Sequence, residues 1–97
     1  MHLINVRPEA LDELKRAWGW HEDQRPGLED EFRACVDAAM AAAARNPLAW
    51  PRVGREVRRV LVRRFPYSVL YVAQLDRIDV LAVFHGARAP REWKRRL

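Results

Sequence analysis

The chain has 97 residues, so a single domain (residues 1–97) with one modest core is expected. Its 49% hydrophobic and 32% charged residues fit a packed globule rather than a disordered chain, and its longest apolar runs fall far short of the ~20 residues that span a bilayer. Net charge is +5 but unevenly placed: residues 1–50 hold six Lys/Arg against nine Asp/Glu, and residues 51–97 hold twelve against four. Sixteen of the eighteen basic residues are arginine, whose planar fork matches phosphate and carboxylate, so the basic half points to a polyanion or an acidic protein partner.

Residues 2–7, HLINVR, read as a short strand. The start has no basic lead-in and no long apolar stretch, so no secretory signal is expected. With the lone cysteine, Cys35, this is consistent with a cytoplasmic location. Pro8 opens a helix, because its missing N–H has no partner in a first turn anyway. Ala10, Leu11, Leu14, Ala17, Trp18 and His21 recur at three- and four-residue steps as a buried stripe, and the helix runs to about Asp23. Gln24-Arg25-Pro26-Gly27 is a turn signal. A second helix follows over about Leu28–Arg45, with Leu28, Phe32, Cys35/Val36, Ala39/Met40 and Ala43 on its apolar side. The small side chains of Ala38–Ala44 allow close approach of another element. Asn46-Pro47 ends it, and the two helices form an antiparallel hairpin.

Leu48–Arg55 reads as a loop with Pro51 and Gly54. Three strands are then expected, at Glu56–Phe65, Tyr67–Leu75 and Arg77–His85, joined as hairpins. The last is almost continuously apolar, which predicts a central strand covered on both faces and paired also with the N-terminal strand. The expected fold is α+β, in the order β-α-α-β-β-β, with the helical hairpin packed on one face of a mostly antiparallel four-stranded sheet. Strict alternation places Tyr67, Val69, Tyr71 and Ala73 on one face of the second of these strands. On the last strand it places Ile78, Val80, Ala82 and Phe84 opposite Asp79, Leu81, Val83 and His85. Arginines mixed with tyrosines on the open face would suit RNA or an acidic peptide.

His85, at the end of the last strand, has the titration range of a general acid or base. Arg64 and Arg88 could hold a phosphate. Trp93 is read as an apolar anchor for the tail, and Trp18, Trp20 and Trp50 as core or helix-groove residues. Three histidines and one cysteine are too scattered for a zinc site, and no phosphate-binding glycine loop or nucleophile elbow occurs, so neither a metal nor a cofactor is expected.

The order of these pieces resembles the RelE/ParE superfamily, the toxins of type II toxin–antitoxin systems, over nearly the whole chain. VRPEALDELKRAWGWHEDQRPGLEDEF (residues 6–32) carries a proline-initiated first helix and a Q-x-PGL-x-x-EF turn. NPLAWP (46–51) and RRVLVRRFPYSVLY (58–71) follow, and VLAVFHGARAPREW (80–93) is similar to an H-x-x-R-x-P-x-x-W ending. The resemblance implies a growth-inhibiting, plasmid-stabilising toxin. It implies a cognate antitoxin, usually acidic or with a segment that folds on the toxin, in a toxin–antitoxin hetero-oligomer. It also implies that the groove between helices and sheet takes the antitoxin's apolar anchors.

The superfamily divides by target. RelE-like members cut mRNA on the ribosome with basic side chains plus a histidine or tyrosine, and ParE-like members inhibit DNA gyrase. Many cutters have a basic residue on the third strand shortly before a tyrosine, where this chain has Ser68-Val69-Leu70 before Tyr71, and many end in a tyrosine, whereas none follows Tyr71 here. The expectation is therefore the ParE-like branch. The alternative is a ribosome-dependent endonuclease using His85, Arg64 and Arg88. On either branch Arg58, Arg63, Tyr71, Arg91, Trp93 and Arg95 are the expected binding surface.

Overall fold

The computed structural model describes residues 1–86 and Arg96. Strand β1 (Leu3–Val6) leads into α1 (Pro8–Gln24) and α2 (Leu28–Arg45). Four strands follow: β2 (Arg52–Gly54), β3 (Val57–Leu61), β4 (Tyr67–Ala73) and β5 (Arg77–His85). Both helices pack on one face of a mixed sheet ordered β1-β5-β4-β3-β2. β1 runs parallel to β5, and the other neighbours are antiparallel. The α+β class, the hairpin on one face and the β1–β5 pairing agree with the sequence reading.

The sheet has five strands, not four. Arg52 pairs with Arg58 and Gly54 with Val57, across an irregular register. The segment reads as a loop because three residues between Pro51 and Arg55 are too few to show a period, and Pro and Gly are turn residues. At a sheet edge both are tolerated, and the Pro51 carbonyl accepts the Arg59 N–H at 3.0 Å. β3 also stops at Leu61, short of Phe65. Arg64 turns the chain with φ 70, and the Val62 N–H closes the turn on the Tyr67 carbonyl.

Helix α1 begins at Pro8 and buries Ala10, Glu13, Ala17 and His21. The stripe is therefore rotated from the expected one: Leu11 is exposed, and the carboxylate of Glu13 takes a buried position. The turn to α2 needs Gly27, whose φ of 90 is the left-handed region open to glycine. α2 buries Phe32, Val36, Ala39, Met40, Ala43 and Ala44 at helical spacing, and its last turn accepts the His2 N–H through Ala44.

The faces of β5 are set by a bulge. Tyr71 pairs with Val80, and Leu70 with Ala82, which leaves Leu81 as an extra residue. Ile78 and Val80 face the helices before it, and Val83 joins the same core after it. Leu81 and Ala82 pack with Val57 and Leu70 in a second cluster, flanked by Phe84. Alternation without the bulge had put Val83 and His85 on the wrong face. β5 is buried on both faces, as its apolar run predicts.

Candidate functional site

Two depressions flank the helical hairpin. The first is a groove of about 390 Å³ between α2 and β3. Its floor is low because α2 presents Ala34, Cys35, Ala38 and Ala42, and its far side is formed by Val60, Leu61 and Trp50. Trp50 is held as a wall by its indole N–H on the Ala42 carbonyl at 3.4 Å. Arg58 fixes the same loop by donating to the carbonyls of Leu48 (3.1 Å) and Trp50 (2.7 Å). Leu61 is 63% exposed beside this groove, and Arg63 and Arg64 stand at its rim. A non-glycine residue in the left-handed region stores strain of about 1 kcal/mol or more, so Arg64 is held there by the turn around it.

The second depression, a trough of about 380 Å³, lies between the C-terminal half of α1 and the end of β5. Glu13, Arg16 and Trp20 line it from the helix, and Tyr67, Val83 and His85 from the sheet. Spacings of three and four residues put Glu13, Arg16 and Trp20 on one flank of α1. A neighbouring hollow shares Trp20, Tyr67 and His85 and adds His21 and Pro66. His85 pairs across the strands with Tyr67, their rings edge-to-face at 5.3 Å. The Gly86 N–H bonds the Pro66 carbonyl at 2.6 Å, and a Cβ there would meet that oxygen at 3.3 Å, so glycine lets the strand end close tightly behind His85. Beneath, the buried His21 stacks on Phe32 at 4.4 Å and donates from Nδ1 to the Ala17 carbonyl at 2.6 Å.

Several predicted site residues take other places. Tyr71 is wholly buried on the helix-covered face, its hydroxyl donating to the Pro47 carbonyl at 2.6 Å, and burial raises its pKa against the lowering effect of Arg58. It is a core residue, not part of a surface. Arg58 is half-buried and engaged with the loop. The face away from the helices carries Val57, Leu70, Leu81 and Ala82, with the exposed Arg59 opposite Leu70, while Tyr67 and Tyr71 pack on the helix-covered face. His85 and Arg64 line different depressions and are not brought together. Arg88, Arg91, Trp93 and Arg95 lie outside the described residues. Trp20, read as a core or helix-groove residue, is 56% exposed and lines the trough beside α1. The roles of Arg16, Trp20 and Tyr67 in the trough were missed. The three-four spacing of Glu13, Arg16 and Trp20 was the signal that could have found the helical side.

The family described as "ParE toxin of type II toxin-antitoxin system, parDE" matches residues 4–90. The chain belongs to this toxin family. Two curated relatives, each named Toxin ParE2 and from two strains of Mycobacterium tuberculosis, are 31% identical to it over 88 residues, covering 90% of this chain and 84% of theirs. A solved chain of the "Chromosomal ParDE TA system from P. aeruginosa" superposes with a TM-score of 0.76, covering 88% of this chain and 96% of its own. At 13% identity that likeness concerns the fold alone. Among the described residues of this ParE-family toxin, no helix is long and apolar enough to cross a membrane.

Proposed function

We propose that this ParE-family toxin arrests growth by inhibiting DNA gyrase, without a chemical step of its own. We also propose that a cognate antitoxin neutralises it by laying an acidic, apolar-anchored segment in the groove between α2 and β3. The observation that carries the gyrase reading is Tyr71. This third-strand tyrosine is sealed in the core on the Pro47 carbonyl, with Ser68-Val69-Leu70 rather than a cation before it, and His85 and Arg64 line different depressions. A buried, hydrogen-bonded phenol whose pKa is raised is a poor base for a ribose hydroxyl.

The groove supports the antitoxin half of the reading. Its floor is small and apolar, its far side is Val60, Leu61 and Trp50, and Arg63 and Arg64 mark one end for carboxylates. The rest of the basic C-terminal half draws an acidic segment at long range. The test is a supercoiling assay with purified gyrase. Inhibition that rises with the toxin and is reversed by equimolar antitoxin is expected. Normal supercoiling at saturating toxin, with A-site cleavage of mRNA in a translation extract, would overturn the gyrase reading.

A further inference from the structure

The geometry points to the trough beside α1 as a second docking surface, separate from the antitoxin groove, through which the toxin grips its target. The occupant is an acidic protein segment with one apolar anchor. The inference rests on the chain acting as a toxin on a protein target, and it adds where that target binds.

Trp20 stands out on the surface of α1. At 56% it is the most exposed large apolar side chain of α1, with its ring edge-to-face against His21 at 4.9 Å. Its neighbours in the trough are Arg16, Tyr67 and His85. Tryptophan, tyrosine and arginine are the residues that concentrate binding energy at protein interfaces, because each combines a large flat contact with a polar end. Two adjoining hollows share Trp20, Tyr67 and His85, so an extended segment can cross the ring ridge and seat its apolar anchor beside it.

The charge of the trough selects the partner. Its one carboxylate, Glu13, is already paired with Arg96 at 2.8 Å and with the Val83 N–H at 3.1 Å. Arg16 is exposed and pairs with no carboxylate among the described residues. The surface therefore offers net positive charge to an acidic side chain. A single-stranded nucleic acid fits less well, since following its backbone takes a series of cations. The described trough has only Arg16 as a fixed, uncompensated one.

The groove and the trough use different elements: α2 with β3 in one, α1 with the end of β5 in the other. Substitutions can therefore separate antitoxin binding from toxicity. The experiment compares Arg16→Glu, Trp20→Ala and the conservative Arg16→Lys with Arg63→Glu/Arg64→Glu in the groove. Its readouts are growth arrest on induction, affinity for the cognate antitoxin, and binding of a labelled 20-nucleotide single-stranded DNA.

Arg16→Glu and Trp20→Ala should keep the wild-type melting temperature, since both side chains are exposed. They should bind antitoxin within about twofold of wild type and need about tenfold or more toxin for arrest. Arg16→Lys should recover part of that loss. The groove double variant should show the reverse pattern. Wild-type arrest by Arg16→Glu and Trp20→Ala would overturn the proposal, as would joint loss of toxicity and antitoxin binding. If toxicity falls in step with oligonucleotide binding, the occupant is nucleic acid and the proposed partner is wrong. Growth arrest is read without reference to gyrase, so failure of the gyrase reading would show separately, as arrest with normal supercoiling.

Discussion

Glu13 and Arg96, 83 positions apart, form a two-point ion pair, with Arg96 Nη1 to Oε1 at 2.8 Å and Nη2 to Oε2 at 3.3 Å. The pair stands where a neighbouring strand would. β1 pairs with β5 only as far as Val80, and the bulge at Leu81 then turns new backbone groups toward that open edge. Glu13 Oε1 accepts the Val83 N–H, and Arg96 donates to the Leu81 carbonyl at 3.0 Å. A helix carboxylate and a C-terminal guanidinium thus satisfy an edge that a longer β1 would otherwise cover.

Removing one member should expose the cost of the other. Arg96→Ala removes the two-point guanidinium partner of a carboxylate that is only 5% exposed, for a loss of about 3 kcal/mol in urea unfolding. Glu13→Gln keeps an oxygen for Val83 and should cost less than Glu13→Ala. Equal stability of Arg96→Ala and wild type would mean that the pair adds nothing.

Tyr71→Phe separates a core role from a chemical one. It removes the bond to the Pro47 carbonyl and should lower stability by about 1–2 kcal/mol. Growth arrest per folded molecule should be unchanged. A large loss of toxicity with intact stability would return Tyr71 to the chemistry.

Arg64 should show opposite effects on stability and on binding. Arg64→Gly relieves a backbone at φ 70 and should raise stability by roughly 0.5–1 kcal/mol. It also strips a cation from the groove rim and should weaken antitoxin binding severalfold. Thermal melting and calorimetric titration read the two separately.

Asp79 sets an acid limit on the fold. Burial alone would raise its pKa, but hydrogen bonds from Asn5 (2.9 Å), Arg77 (3.0 Å) and Gln74 (3.3 Å) outweigh burial and hold it below the usual carboxylate value. A folded pKa below the unfolded ~3.9 means that the unfolded chain binds the proton more tightly. The contribution is fully present above that value and fades as pH falls through the folded pKa. Asp79→Asn should be less stable than wild type at pH 7, and the gap should narrow in acid. A gap independent of pH between 7 and 2 would contradict the assignment.

The helices were legible because their apolar periods are long and their ends carry Pro8, Gly27 and Asn46-Pro47. β5 was legible from its unbroken apolar run. β2 was not, because three residues at an edge carry no period and contain turn residues. The faces after Leu81 were not either, since a bulge is a property of the pairing with Tyr71 rather than of β5 alone. The same slip explains the site. His85 is legible as a residue, but its face, and so its ring partner Tyr67 and the trough it shares with Trp20 and Arg16, follow only from the register. The two arginines expected to work with it divide between the other groove and the residues beyond Gly86.

The central claim, a gyrase-directed toxin held off by an antitoxin in the α2–β3 groove, is tested most directly by supercoiling with purified components. Relaxed plasmid, gyrase and ATP are incubated with rising toxin, with and without equimolar antitoxin. The account predicts dose-dependent loss of supercoiled product and its full recovery with antitoxin, but not with antitoxin added to Arg63→Glu/Arg64→Glu toxin. Unchanged supercoiling at saturating toxin would contradict it.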